Sequence, residues 1–329
     1  VKRKSLFGVE DRKMKRSVLF GMAVMSVCSI LANAGTVAYW RFEEGPADSA
    51  VSHGGQGDGV FYQGVADSSG NGNGLSVWAE GWAGYAYKTD VGGSLVNGVA
   101  NNYSVKNSGG YPAMFTQTGA AIQSITPAAF TVEATFKLEN GGYKTIVGRD
   151  SRGSATANGD LAALYLQVVP DNGLAIKFCD VQGYWHEAIS SAHIFAGFDY
   201  PTNPDALDTP WYSVAGVSDG STLSLYLRNV TDNTAWTLIA QTDMTLSGST
   251  DTALTAGTGD GGDWDAGNWT VGRGLYAGGH GDRAYGFIDE VRISDSALST
   301  SEMLYVVPEP ATMLLLGLGA VLTRYGRKS

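Results

Sequence analysis

One run, FTVEATFKL at 130–138, most constrains what this chain can fold into. Phe130, Val132, Ala134, Phe136 and Leu138 alternate with Thr131, Glu133, Thr135 and Lys137. An extended strand gathers all five apolar side chains on one face, whereas a helix would scatter them around its circumference. Shorter runs of the same kind recur as TVAYWRF, KTIVGRD, AALYLQVV, LAIKF, WYSVAGV, TLSLYLRNV, AWTLIAQT, NWTVGR and YGFIDEVRI. Turn formers separate them (PDNG, SDGS, TDNT, NGG), and glycine, 45 of 329 residues, is about twice as common as usual. ALSTSEMLY carries Ser299 and Glu302 at capping-box spacing and predicts one short helix near the end. Many short strands with almost no helix imply an all-β sandwich or jelly roll. Residues 44–128, rich in Gly, Asn and Ser, read as long decorated loops rather than a second domain, and no fixed-period repeat is present.

The two ends read as addresses rather than as parts of the fold. From Met14, Lys15 and Arg16 precede an apolar stretch, Val18 to Leu31, and Ala32-Asn33-Ala34 supplies a small-x-small cleavage pattern, the layout of a secretory signal. Val1 fits a GTG start codon, with Met14 as the alternative start; residues 1–34 are set aside as the signal region, with its signal helix. At the other end Pro308-Glu309-Pro310 precedes a nearly continuous apolar segment, 311–323, and then Arg324, Arg327 and Lys328. As a short apolar helix this segment would be about 20 Å long, less than a hydrocarbon core of about 30 Å, so anchoring would be transient. The basic cluster leaves everything before it outside the membrane. This three-part tail resembles the PEP-CTERM sorting signal, which implies processing by an exosortase, a membrane-embedded cysteine protease of bacteria with an outer membrane and extracellular polysaccharide. The mature protein is expected to begin near Gly35 and to end near Pro308.

Between the signals, twelve Lys and Arg face twenty-nine Asp and Glu, a formal charge of −17. A surface that tracks phosphates needs the opposite balance, so nucleic acid is excluded as a partner class. Cys28 leaves with the signal region, and Cys179 is then the only cysteine. The mature chain has no internal disulfide, and a large core must hold it. Cys179 shares a strand face with Ala175 and Lys177 and reads as a packed residue.

Several strands carry a second resemblance. VAYWRFEEG, DSSGNGNGL, FTVEATFKLENGGYKTIVGRD, WYSVAGVSDGSTLSLYLRN and GFIDEVRISDSALSTSEM occur in that order. Together they resemble the LamG-like members of the concanavalin A-like superfamily. The resemblance implies a two-sheet antiparallel jelly roll over 35–306, with the sorting signal at 307–329, and carbohydrate or protein binding. The first and last strands should then be adjacent.

Motifs for catalysis are missing from the sequence. Laminarinase-type relatives of this fold place carboxylates as E-x-D-x-x-E along one strand, and that pattern does not occur. Glu133 and Glu139 share a face that reads as solvated. His53, His186, His193 and His280 lack zinc spacing, and neither G-x-S-x-G nor a phosphate loop is present. The expectation is a non-enzyme that binds extracellular polysaccharide or a surface protein; a diverged glycoside hydrolase is the third reading.

Two features point to ligands. Asp67, Asn71 and Asn73, and Asp260, Asp263 and Asp265, offer oxygens of the kind Ca²⁺ takes, although Asx-turns use the same residues. Asp289 alternates with Phe287, Val291 and Ile293, so it is expected to point inward, and a buried carboxylate needs donors, an Arg or a cation. Related sandwiches hold a structural Ca²⁺, which suggests Asp289 with the Asp67–Asn73 loop. The second feature is aromatic: Trp78, Trp82, Tyr85, Tyr87, Trp264 and Trp269 lie in or beside glycine-rich stretches, where they either stack on sugar rings or plug loops against the core.

Overall fold

The computed structural model describes residues 35–52, 54–55, 62–79, 84–93, 99–107, 110–117, 119–150, 162–195, 209–256, 267–276 and 279–305. The signal region and the sorting tail lie outside them. In chain order the strands are β1 (Thr36–Trp40), β2 (Gly54–Gly55), β3 (Tyr62–Val65), β4 (Leu75–Ala79), β5 (Tyr85–Lys88), β6 (Ser104–Asn107), β7 (Ala113–Thr116), β8 (Phe130–Leu138), β9 (Lys144–Asp150) and β10 (Ala162–Val169). They continue as β11 (Gly173–Cys179), β12 (Trp185–Ile189), β13 (Tyr212–Ser218), β14 (Thr222–Asn229), β15 (Thr237–Asp243), β16 (Trp269–Val271), β17 (Gly274–Tyr276), β18 (Gly279–Gly281) and β19 (Gly286–Ser294). The helical elements among the described residues are three single 3₁₀ turns.

Two sheets form a sandwich. The first runs β15-β14-β13-β8-β19-β6-β5, with β1 also on β19; the second runs β12-β11-β10-β9-β16-β7-β4-β2, with β3 on β4. Pairing is antiparallel except between β2 and β4. All ten strands read from alternation are present, and β1 lies against β19 with Trp40 opposite Val291, as the order of segments implied. The glycine-rich 44–128 stretch adds β2 to β7 to the same two sheets.

The five apolar residues of β8 face the core between the sheets. There Phe130 meets Phe178 of the opposite sheet edge-on at 5.1 Å, and Phe195 packs on Tyr212 at 4.8 Å. Trp40 and Trp269, both fully buried, fill it further. Cys179 is buried, and burial pushes its thiol up to about 11.

The outer face of β8 departs from expectation. Thr131, Glu133, Thr135, Lys137 and the nearby Glu139 are buried rather than solvated: the chain after β19 folds back over Thr131 and Glu133, while Lys137 pairs with Asp90 and Glu139 with Lys106. Thr131 Oγ1 takes the amide of Leu298 and donates to the carbonyl of Ser296. Glu133 takes the amide of Leu304, and Met303 packs on Ala215 and Val217. Residues 297–305 form this strap and not the expected helix. The capping-box contact does form, with Ser299 N donating to Glu302, but it closes a single turn. The chain then extends so that Met303 and Tyr305 reach the sheet.

Part of the second sheet is covered on its outside too. After β16 the chain turns at Gly272, and the β17–β18 hairpin crosses β9 and β10, where Tyr165 Oη donates to the carbonyl of Leu275.

Candidate functional site

β19 carries the densest group of ionisable side chains. Its alternation breaks in the middle: Glu290 adopts φ 48°, and the pairing with β8 shifts between Asp289 and Arg292, a bulge that re-aims the residues beside it. Ile288, Val291 and Ile293 therefore face the core. Asp289 lies opposite Thr135 and so shares its outer face. The expectation that Asp289 points into the core with Val291 is corrected here. It is buried because Asn101, with Tyr305 of the strap beside it, lies over it, not because strand parity places it inside.

Around it, Glu290 accepts hydrogen bonds from Arg41 Nε at 3.1 Å and Nη2 at 2.9 Å and from Tyr39 Oη. Asp289 Oδ2 accepts from Asn101 Nδ2 at 2.8 Å. Asp289 Oδ1 and Asn101 Oδ1 are buried without a hydrogen-bond partner among the described residues. Burial, and then the neighbouring Glu290 charge, push the Asp289 carboxyl well above the usual carboxylate range. Burial also raises Glu290, against the pull of Arg41 and Tyr39, and raises the Tyr39 phenol. A phenol held up in this way is a poor nucleophile, and both carboxyls are fully buried. The two orphaned oxygens do suit a hard cation, which takes carboxylate and amide oxygens.

The Asp67 loop works differently. Asp67 Oδ1 accepts the amides of Tyr39 and Ser69, and Oδ2 that of Asn73, all at 2.9–3.0 Å. Asn71 and Asn73 donate through Nδ2 to the carbonyl of Val37, and Asn73 Oδ1 takes the amide of Ile122. Every one of these polar groups faces backbone, so the loop is a clasp on β1. Among the described residues no three His, Cys, Asp or Glu side chains gather as a metal-binding group. Asp260, Asp263 and Asp265 lie outside the described residues.

Of the aromatics, Trp269 is fully buried, with the Arg149 guanidinium 5.3 Å from its ring centroid, so it offers no face to a sugar. Tyr85 and Tyr87 are buried strand residues of β5. Trp78 is half-buried at the end of β4, and Trp82 and Trp264 lie outside the described residues. Among the described residues the exposed rings are tyrosines not singled out from the sequence, including Tyr111, Tyr143 and Tyr276. Their signal was present, since Tyr111 and Tyr143 each follow a Gly-Gly pair.

Residues 306–328 match the family model of the PEP-CTERM protein-sorting motif. That signal implies export across the inner membrane, processing by an exosortase and a surface location afterwards. Segment 311–323 lies outside the described residues, among which no helix is long and apolar enough to cross a membrane. No curated protein matches the chain. Among solved structures it is similar to the binding domain of botulinum neurotoxin serotype D/C, with 11% identity and a TM-score of 0.45 over 86% of this chain and 52% of that one. It thus spans about half the length of that domain. It is also similar to the CBM40 module of Ruminococcus gnavus IT-sialidase, solved with α2,6-sialyllactose, with 16% identity and a TM-score of 0.41 over 57% of this chain and 87% of that one. A leech intramolecular trans-sialidase is matched at 17% identity and a TM-score of 0.40, over 57% of this chain and 24% of that one.

Proposed function

We propose that the exported domain is a non-catalytic, LamG-like binding module whose ligand is extracellular polysaccharide. One observation carries this reading: the strap covers part of the outer face of the first sheet and the β17–β18 hairpin part of that of the second, and four of the buried carboxylates are each paired with a Lys or Arg. Glu133 pairs with Arg292, Glu139 with Lys106, Asp150 with Arg273 and Glu290 with Arg41. A glycosidase needs two carboxyl groups flanking an accessible sugar, whereas a lectin needs only exposed rings and polar loops. The sorting signal supports the reading by delivering the domain to the cell surface, after transient anchoring through 311–323. The proposal includes a structural Ca²⁺ held by Asp289 Oδ1 and Asn101 Oδ1, which would neutralise a carboxylate otherwise buried without a counter-charge.

Glycan arrays run alongside a reducing-sugar assay test it. Binding without sugar release is the expected result. Bond cleavage abolished by a single Asp or Glu substitution would make the protein a diverged glycoside hydrolase. Neither binding nor cleavage would leave a protein-binding adhesion or structural surface role.

A further inference from the structure

We infer that Trp78, Tyr111 and Tyr143 form one aromatic rim, at one end of the second sheet, that stacks on the sugar rings of a neutral polysaccharide. The inference deepens the polysaccharide-binding reading and rests on it.

The register sets the two tyrosines nearly level, with Trp78 on the strand beside Tyr111. Val271 of β16 lies opposite Met114 of β7 on one side and Val147 of β9 on the other. Tyr111 precedes Met114 by three residues and Tyr143 precedes Val147 by four, so both leave the same end of the sheet at nearly the same level. One strand separates them, which makes their spacing about 10 Å, two strand intervals. Trp78 lies opposite Ala113 on the next strand, β4. With Leu75 and Val77 of β4 and Met114 of β7 facing the core, alternation puts Trp78 and Ala113 on the outer face.

The Tyr111 end of the rim is held in place. Tyr111 is 60% exposed, yet the carbonyls on both sides of it are fixed: Tyr285 Oη donates to Gly110 O at 3.3 Å, and Arg283 Nη1 to Pro112 O at 2.5 Å. The Arg283 guanidinium also lies 5.3 Å from the Tyr111 ring centroid. Asn140 ties down the same strip of chain through the Arg283 carbonyl and the Tyr285 amide. Tyr143, 52% exposed, is launched like Tyr111 from a glycine in the left-handed region, Gly142 at φ 82° and Gly110 at φ 77°. An exposed ring held in place loses little entropy when it binds, and preorganisation of this kind is what recognition gains from. An isolated solvent-facing tyrosine needs no such support.

The class of ligand follows from charge. The domain carries −17, and Arg283 beside Tyr111 is already engaged by Pro112 and the ring. A polyanion would meet repulsion, whereas the apolar face of a neutral sugar ring fits an aromatic plane.

Binding of the exported domain to a soluble neutral β-glucan, to a galactomannan and to a polyuronate, measured by affinity electrophoresis, tests the rim. Tyr111→Ala and Tyr143→Ala are each expected to weaken binding to the neutral polymer by about tenfold with an unchanged melting temperature. Tyr276→Ala, equally exposed but off the rim, should leave binding intact. Wild-type-like binding by both rim variants, or equal loss in Tyr276→Ala, overturns the rim while leaving polysaccharide binding standing. Salt-sensitive binding to the polyuronate alone overturns the neutral class. A wild-type domain that binds none of the three polymers overturns the rim together with the reading it rests on.

Discussion

Arg273 and Asp150 join as a two-bonded ion pair in a fully buried position, Nη1 to Oδ1 at 3.1 Å and Nη2 to Oδ2 at 2.8 Å. The pair ties the turn after β16 to the end of β9. Removing one partner leaves the other charge buried and alone. Arg273→Ala is therefore expected to lower unfolding free energy by about 3–5 kcal/mol, and Arg273→Met combined with Asp150→Leu to recover most of that loss. Urea midpoints of the two variants check this, and a double variant no better than the single one would count against it.

The pH dependence of stability has a definite sign. Burial raises the carboxyls of Asp150 and Glu133, and Arg273 and Arg292 only partly pull them back. A raised folded pKa means that the folded chain keeps a proton which the unfolded chain has released. Across that window the folded state binds more protons, so stability falls as pH rises. Wild type should lose stability relative to Glu133→Gln as pH climbs above about 4, the ordinary carboxylate range. A difference between the two that is constant with pH, or that runs the other way, contradicts this account.

The clasp and the candidate cation site respond differently to metal. Asp67→Ala frees three amides and should cost about 1–3 kcal/mol, equally in EDTA and in Ca²⁺. Calcium at a hundred times its dissociation constant should stabilise wild type by about 2.7 kcal/mol and leave Asp289→Asn unaffected. A wild-type melting temperature that is the same in EDTA and in Ca²⁺ would falsify the site.

Processing should leave the fold intact. The carbonyl of Tyr305, the last described residue, accepts from Arg228 Nη1 and from Trp236 Nε1, so the strap is fastened before the sorting motif begins. Mass spectrometry of the secreted form should find neither MKRSVLF nor MLLLGLG, and a chain ending near Pro308 should melt at the same temperature as one carrying the tail. Recovery of an intact C-terminus from the exported protein removes the exosortase step.

Local chemistry was enough for much of this protein. Alternation located β8 and the nine other strands because a pleated strand sorts side chains by parity within a few residues. The sorting address at 306–328 was legible because it acts as a linear segment, and the adjacency of β1 and β19 followed from the order of the segments. Tertiary structure decided the rest. A single left-handed residue, Glu290, reversed the parity that aimed Asp289 inward, and nothing in the composition of GFIDEVRIS marks it. Glu133 looked solvated because the strap that covers it comes from 160 and more residues further along the chain. Trp269 and Tyr111 exchanged roles for a similar reason: whether a ring plugs the core or faces solvent depends on which strands flank it. Pairing, bulges and coverage are non-local, and a residue carries no sign of the partner that folding will bring to it.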